Sequence, residues 1–550
     1  MYKEISRELF FGILVATIAF LVYANSLGNG FTLDDHDVIL NNQALRGAVA
    51  PLFSIIDTIN DTQLLPLYRP VTYLSFLIEW RLHGFNPFFV RLLNILLHSA
   101  NAYLVYRIAR SLFKENIYAA LLTGILFAVH PLHTEGVDFN AGGRNTMLAC
   151  FFSLAAYLMH HRSTTLGRIF PAFAGAGLFL AGLFSKESAL MVLPLIAWLE
   201  IAPFRSGSSG KRFLPFLRLA PYCAATVIYL VMRWLTLSKL GIQTSIIPGA
   251  GANLLESMYV VDSLGTRMVN NLYIIPRYLL IAIWPTALSS RYVIPGDLNL
   301  LALPLFGSWV AILGCLGWVF TRGRTLASLF GLAWLILFWL PVSGLFIIPI
   351  PMAERYLYMP AIGLWIVFSD QLFKILQNAR PEVTKYTRVS IIVVLLMLAA
   401  LTIRRNFDWK SNVSLYTRFV EQYPENIHAQ AGLGVAYYDT ADMQNKILAE
   451  RLFEKVIALD PYAPKVHTLI GSIKLNKGEF RAALDHYGRA LEIFPNDKEA
   501  RLNRGITLEK LGRPKEAITD YLFFLTSPGS SDSLPGGREH AEKRLRELAK

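Results

Sequence analysis

Two adjacent carboxylates follow the first apolar run of this chain, in Gly30-Phe31-Thr32-Leu33-Asp34-Asp35-His36-Asp37. Such a pair suits general-base work, because one carboxylate can take a proton while the other tunes its pKa or positions an acceptor. The bland reading is a solvated acidic turn. A second cluster runs from His130 through His133 and Glu135 to Asp138, and Gly142-Gly143-Arg144-Asn145 follows it. Its spacings could chelate a divalent cation, with His133, Glu135 and Asp138 as candidates, although the pattern is not that of a zinc site. The alternative is a set of polar groups capping a helix end. A third cluster, Glu354-Arg355-Tyr356-Leu357-Tyr358, offers an arginine whose forked donors fit an anionic headgroup. Glu354 and Arg355 could instead pair and hold two helices together. Lys186 and Glu187 sit at an outer boundary and could simply be snorkelling or paired with each other, the favoured reading for Glu187. Carboxylates and cations gathered on one face suggest a site for a phosphate-bearing lipid and a nucleophile that loses a proton.

These residues must be positioned by membrane helices. Of 550 residues, 54% are hydrophobic and only 17% charged, against roughly 25% charged in soluble domains. Apolar runs such as Leu9–Leu27, Leu301–Phe320, Leu326–Ile348 and Val389–Ile403 approach or exceed the length that crosses a bilayer. The first run is too long for a cleaved leader and no A-x-A site follows it, so it is expected to remain as a span. With the N-terminus in the cytoplasm, the basic clusters Arg107–Lys114, His160–Arg168, Arg205–Arg218, Arg322–Arg324 and Lys374–Arg388 all fall inside. The segments 28–90, 131–144, 184–187, 239–300, 349–355 and everything after about 404 then lie outside. About eleven crossings satisfy this, provided that Met268–Trp284 dips into or lies along the membrane.

The net charge of +13 does not point to nucleic acid: 22 basic against 20 acidic residues leave 405–550 at +2. The excess sits in short membrane loops, and no basic stripe with interleaved aromatics appears. Cys150, Cys223 and Cys315 lie in apolar runs and build neither a disulfide framework nor a thiolate site.

Beyond the apolar part the chain repeats. Pro424, Pro461, Pro495 and Pro528 are 37, 34 and 33 residues apart, near the 34 of a tetratricopeptide repeat (TPR). Small residues (Gly434, Gly471, Gly505, Ala449, Ala483, Ala517) alternate with aromatics (Phe453, Tyr487, Tyr521). Small residues let paired helices approach, an aromatic fills the notch and proline ends the pair. The expected fold is all-α: a polytopic membrane bundle over 1–404, then a TPR solenoid over 405–550. The solenoid holds units 425–461, 462–495 and 496–528 and a polar capping helix, Gly537–Leu548.

The ordered motifs resemble a family. They are Asp34-Asp35 with Asn41, Tyr68-Arg69-Pro70-Val71-Thr72-Tyr73, Asn94 with His98, His130-Pro131-Leu132-His133-Thr134-Glu135, Gly143-Arg144, Ser185-Lys186-Glu187-Ser188 and Glu354-Arg355-Tyr356-Leu357-Tyr358-Met359-Pro360. Each alone is unspecific, but their order is similar to that of the transmembrane-and-TPR (TMTC) O-mannosyltransferases and their prokaryotic relatives, in the GT-C glycosyltransferase superfamily. The resemblance covers most of 1–404, with the TPRs following as in that family. It implies transfer of a monosaccharide from a polyprenyl-phosphate donor to a protein Ser/Thr hydroxyl on the non-cytoplasmic face. Asp34 matches the family's candidate base and Asp35 its neighbour. Arg355, with Lys186 or Arg144, is expected to stabilise the departing phosphate, and Arg69, His130, His133, Glu135, Asp138, Glu354 and Tyr356 to line the site. No cofactor is required, and a divalent metal is an option.

The TPR groove would present the acceptor polypeptide. About three repeats is fewer than eukaryotic members carry, which leaves open another hexose on undecaprenyl phosphate. The expected location is a bacterial inner membrane with the repeats in the periplasm, or the endoplasmic reticulum membrane with luminal repeats. The competing readings are a non-catalytic, membrane-anchored TPR scaffold for envelope assembly and a transporter. A transporter would want mid-bilayer charges and symmetric halves, and neither is seen.

Overall fold

The computed structural model describes the chain except residues 1, 43–44, 46–57, 60–62, 65–66, 115, 202–213, 240–262, 296–302, 346–349, 528–535 and 549–550. Pro528, part of the Arg205–Arg218 cluster and part of the 239–300 segment lie outside the described residues. The described residues are helical apart from a two-strand ribbon, Thr58–Ile59 with Gln63–Leu64. They form two compact units, 1–57 with 64–411, and 412–550 with 58–63.

In the first unit, helix α1 (Tyr2–Tyr23) runs into a 3-10 turn, Ala24–Gly28. After it come α2 (Pro70–His83), α3 (Pro87–Leu112), α4 (Ile117–Val129), α5 (Thr134–Asp138) and α6 (Asn140–Leu166). Then follow α7 (Phe170–Leu183), α8 (Val192–Ile201), α9 (Leu214–Lys239) and α10 (Leu264–Ile283). The unit closes with α11 (Leu303–Thr321), α12 (Leu326–Trp339), α13 (Pro360–Gln377) and α14 (Pro381–Asp408). Four described helices are long and apolar enough to cross a membrane, and five if the bent pair Ile117–Val129 and Pro131–Asp138 is one span. That pair bends by 49°, because Pro131 removes a helical donor and the His130 ring caps the new start, accepting from Leu132 N at 3.2 Å.

Within the apolar run that starts at Leu326, α12 stops at Trp339 and Leu340-Pro341-Val342 forms a 3-10 turn, since Pro341 cannot continue the ladder. The first compact unit runs on to Ser411. Arg405, Asn406 and Trp409 remain buried in the first unit.

The second unit begins with α15 (Asn412–Gln422) and stacks three helix pairs. These are α16 (Ile427–Tyr438) with α17 (Met443–Leu459), α18 (Pro464–Asn476) with α19 (Phe480–Ile493), and α20 (Lys498–Lys510) with α21 (Pro514–Thr526). Helix α22 (Gly537–Leu548) follows. The small-against-aromatic pattern is the packing itself. A methyl on Gly434 would sit 2.5 Å from the Phe453 ring, and methyls on Gly471 and Gly505 would sit 2.7 Å from Tyr487 and Tyr521.

Candidate functional site

Segments far apart in sequence meet at one end of the membrane unit. Val71 N donates to Phe184 O at 3.1 Å, Gly30 N donates to Lys410 O at 3.0 Å and Arg91 Nη2 donates to Gly30 O at 2.5 Å. At the other end of α1 and α3, Glu8 pairs with Arg110 at 2.6 Å. Arg91 and Arg110 lie about 28 Å apart along α3 by helix rise, so the two ends are separated by nearly a bilayer core.

Asp34 and Asp35 face different surroundings. Asp35 is fully buried and accepts from Ala141 N at 2.6 Å, Asn140 Nδ2 at 2.9 Å and Thr32 N at 3.1 Å. It thereby fills the N-terminus of α6, where free N–H groups favour an anion. Burial lifts its carboxyl above the ordinary value, with the three donors pulling back. Asp34 remains exposed, and among the described residues its carboxylate accepts no hydrogen bond. Although open to solvent it is crowded by protein, and this desolvation raises its pKa while the charges of Arg355 and Arg291 pull it down. Leu33, just before it, has φ of 50°, a strained value for a bulky apolar residue. A single π turn, His36–Leu40, follows.

The cations of this region come largely from loops at helix ends. Arg355 gives its backbone N–H to Glu135 Oε2 at 2.9 Å and its guanidinium to Glu135 Oε1. The guanidinium carbon lies 5.2 Å from the Tyr356 ring centre and 5.5 Å from that of Phe139. Lys186 Nζ donates to Thr146 Oγ1 at 2.7 Å and lies 5.9 Å from the Tyr356 ring. Burial, then the charges of Arg69 and Arg355, push its pKa down to about 7 against the pull of Glu187 and Glu135. Glu187 does not pair with Lys186; it holds Arg69 at 3.0 Å and Arg233 at 3.3 Å. Burial alone would raise the Glu187 carboxyl, but the two guanidiniums outweigh it and hold it at about 2. Arg69, Lys186, Arg233 and Arg355 thus gather around two carboxylates, Glu135 and Glu187, and of these cations Arg355, with Arg291, acts on exposed Asp34.

Other candidates turn to structural partners. Arg144 is fully buried and bidentate on Glu79, both bonds 3.1 Å, and it also donates to Asn94 Oδ1 at 2.5 Å and Val90 O at 2.9 Å. Its fork is consumed, so it is not the expected phosphate ligand. Asp138 pairs with buried Arg91 at 3.3 Å. His130 Nε2 lies 2.9 Å from Ala282 O, tying the bend to α10. His133 is buried among Phe127, Tyr358 and His98, its ring nitrogens without a hydrogen-bond partner among the described residues. Glu354 binds Tyr292 at 2.9 Å and Arg405 at 3.2 Å, not Arg355. Among the described residues no group of three His, Cys, Asp or Glu side chains could hold a metal ion; His133, Glu135 and Asp138 point to different neighbours.

Sequence reasoning missed Arg91, Arg233, Arg291, Arg405 and the Phe139–Trp409 stack. An arginine inside the apolar stretch of α3 was a usable signal for Arg91. Gly143, by contrast, was visible: a methyl there would fall 2.0 Å from Gly136 O, so the turn from α5 into α6 closes only without a side chain.

Residues 70–236 match the dolichyl-phosphate-mannose-protein mannosyltransferase family, and residues 468–522 the tetratricopeptide repeat. Over those residues the helical chain is similar to a mannosyltransferase family and to tetratricopeptide repeats. The chain is also similar to TMTC-type protein O-mannosyl-transferases. A protein O-mannosyl-transferase of Caenorhabditis elegans is 26% identical over 82% of this chain and 62% of its own length. Human protein O-mannosyl-transferase TMTC3 is 24% identical over 93% of this chain and 54% of its own. Drosophila melanogaster Tmtc2 is 36% identical over 36% of this chain and 22% of its own. The chain thus spans 54–62% of the length of the first two relatives.

Proposed function

We propose that this chain transfers a monosaccharide, mannose by the names of its relatives, from a polyprenyl-phosphate donor to a Ser or Thr hydroxyl of a polypeptide. The observation that carries this is the exposed Asp34 carboxylate, without a hydrogen-bond partner among the described residues, under the charge of Arg355, whose loop neighbour Tyr356 also meets Lys186. Asp34 takes the proton of the acceptor hydroxyl as its oxygen attacks the anomeric carbon. The bond from that carbon to the phosphate oxygen breaks, its electron pair leaves on the polyprenyl phosphate, and the anomeric centre inverts. Arg355 spends one N–H on Glu135 and keeps others of its five for phosphate oxygens. Lys186, with no carboxylate in ion-pair reach among the described residues, supplies the second charge.

We place the reaction on the non-cytoplasmic side, with about eleven crossings and the repeats on the side of Asp34. The basic clusters in the short loops on the opposite face support this. The repeats then hold the acceptor polypeptide, in a bacterial periplasm or an organellar lumen. Purified full-length protein, given polyprenyl-phosphate mannose and a Ser/Thr-rich peptide, should add one hexose to the peptide by mass spectrometry. A peptide left unmodified, with donor intact, would count against the transferase and favour a scaffold.

A further inference from the structure

The segment Arg405–Lys410, at the end of α14, touches both loops that carry the proposed chemistry. Towards the Asp34 loop, Asn29 Nδ2 donates to Asn406 O at 2.8 Å and Gly30 N to Lys410 O at 3.0 Å. Asn406 Nδ2 in turn donates to Asn25 Oδ1 at 2.6 Å and Val22 O at 3.0 Å. Towards the Arg355 loop, Arg405 pairs with Glu354 at 3.2 Å. Between the two, Trp409 stacks on Phe139, with ring centres 5.9 Å apart and planes at 22°. Phe139 is the same ring against which the Arg355 guanidinium lies, at 5.5 Å.

Trp409 is fully buried and Phe139 is 3% exposed, so both rings are fixed by packing. The indole N–H of Trp409 has no hydrogen-bond partner among the described residues. Its flat ring, not its polar atom, is therefore what the site uses. Phe139 cannot shift towards α6 without cost, since even a methyl on Gly142 would fall 2.2 Å from it. Trp409 closes the other side, and the ring under Arg355 is held between them.

We infer that Trp409 is a positioning residue for the donor phosphate: stacked on Phe139, it fixes the platform on which the Arg355 guanidinium lies. This rests on the proposed transferase reading. Arg355 meets the ligand; Trp409 acts only through Phe139. Losing the stack would let the guanidinium drift from the phosphate while Asp34 and the acceptor are untouched, so the effect falls on one substrate.

The test compares Trp409→Leu, Trp409→Phe and wild type as full-length purified proteins. Leucine fills space without a ring, and phenylalanine keeps a ring without the N–H. The expected result is a donor KM raised about tenfold in Trp409→Leu, since small misplacements cost this much or more. Acceptor KM should be unchanged, and Trp409→Phe should match wild type. A smaller folded fraction would lower the apparent kcat but leave donor KM alone, so a wild-type donor KM in Trp409→Leu overturns the inference. If Trp409→Leu does not fold, Phe139→Leu must raise donor KM in the same way, and a normal value there overturns it equally. If wild type shows no transfer, the transferase reading fails, and amide exchange over residues 353–358 decides the positioning role. Exchange about tenfold faster in Trp409→Leu but not in Trp409→Phe supports it; equal exchange in all three overturns it.

Discussion

Glu354 and Arg355 are neighbours in the chain and do not pair: Glu354 turns to Arg405 and Tyr292, Arg355 to Glu135. One of the two is thus part of the scaffold that joins α14 to the loop, while the other stands where a ligand can reach it. The Arg355 side chain is 13% exposed, against none for Glu354.

Arg355→Lys should therefore weaken donor binding by about tenfold with a nearly normal melting temperature. Lysine keeps charge beside Glu135 but loses the fork that phosphate oxygens use. Donor titration and a melting curve on the same sample check this. A lowered melting temperature with unchanged donor affinity would make Arg355 a structural residue.

The pH profile of kcat/KM for the donor should be bell-shaped. Asp34 works as a base only when ionised, and its carboxyl lies above its ordinary value, so activity rises as pH climbs through that raised pKa. Lys186 is charged below its pKa of about 7 and neutral above it, so the falling limb belongs near there. Bound phosphate restores the charge, and the falling limb of kcat should lie at higher pH. Lys186→Arg, which stays charged, should abolish the falling limb; a limb unchanged in that variant would mean another group titrates.

Glu79→Gln should destabilise the membrane unit rather than alter donor binding. It breaks a buried bidentate pair with Arg144, a change that costs about 3–5 kcal/mol when one charge is left behind. Thermal unfolding in detergent and donor titration separate the two effects.

In the repeats, Gly471→Ala should lower stability by about 1–3 kcal/mol, because the added methyl meets the Tyr487 ring at 2.7 Å. Gly488→Ala, where a methyl meets nothing within 4 Å, is the control and should be neutral or better. Unfolding of the full chain followed by far-UV circular dichroism compares them.

What could be read from the sequence was what is local. The TPR pairs were visible because Gly471 and Tyr487, or Gly505 and Tyr521, sit at fixed offsets within one repeat. Asp34 and Asp35 were visible as a pair, yet their difference was not, since Asp35 is claimed by Ala141, 106 residues on. The same distance in sequence hid the partners of the cations: Arg355 meets Glu135 across 220 positions and Arg69 meets Glu187 across 118. Adjacent charges such as Glu354-Arg355 and Lys186-Glu187 invited pairing by proximity in the chain. Helix packing instead sends each to a different element, and Arg144 was consumed by Glu79 for the same reason.

Turnover of Asp34→Asn beside Asp35→Asn, each purified full-length with donor and acceptor peptide, tests the central assignment. In Asp34→Asn the amide keeps the shape of the exposed side chain but cannot take the proton, so transfer should fall about 10²–10⁴-fold with an unchanged melting temperature. Asp35→Asn removes one buried acceptor from the start of α6 and should lower stability by about 1–3 kcal/mol while its folded fraction retains most of the rate. Wild-type turnover in Asp34→Asn would contradict the assignment of Asp34 as the base.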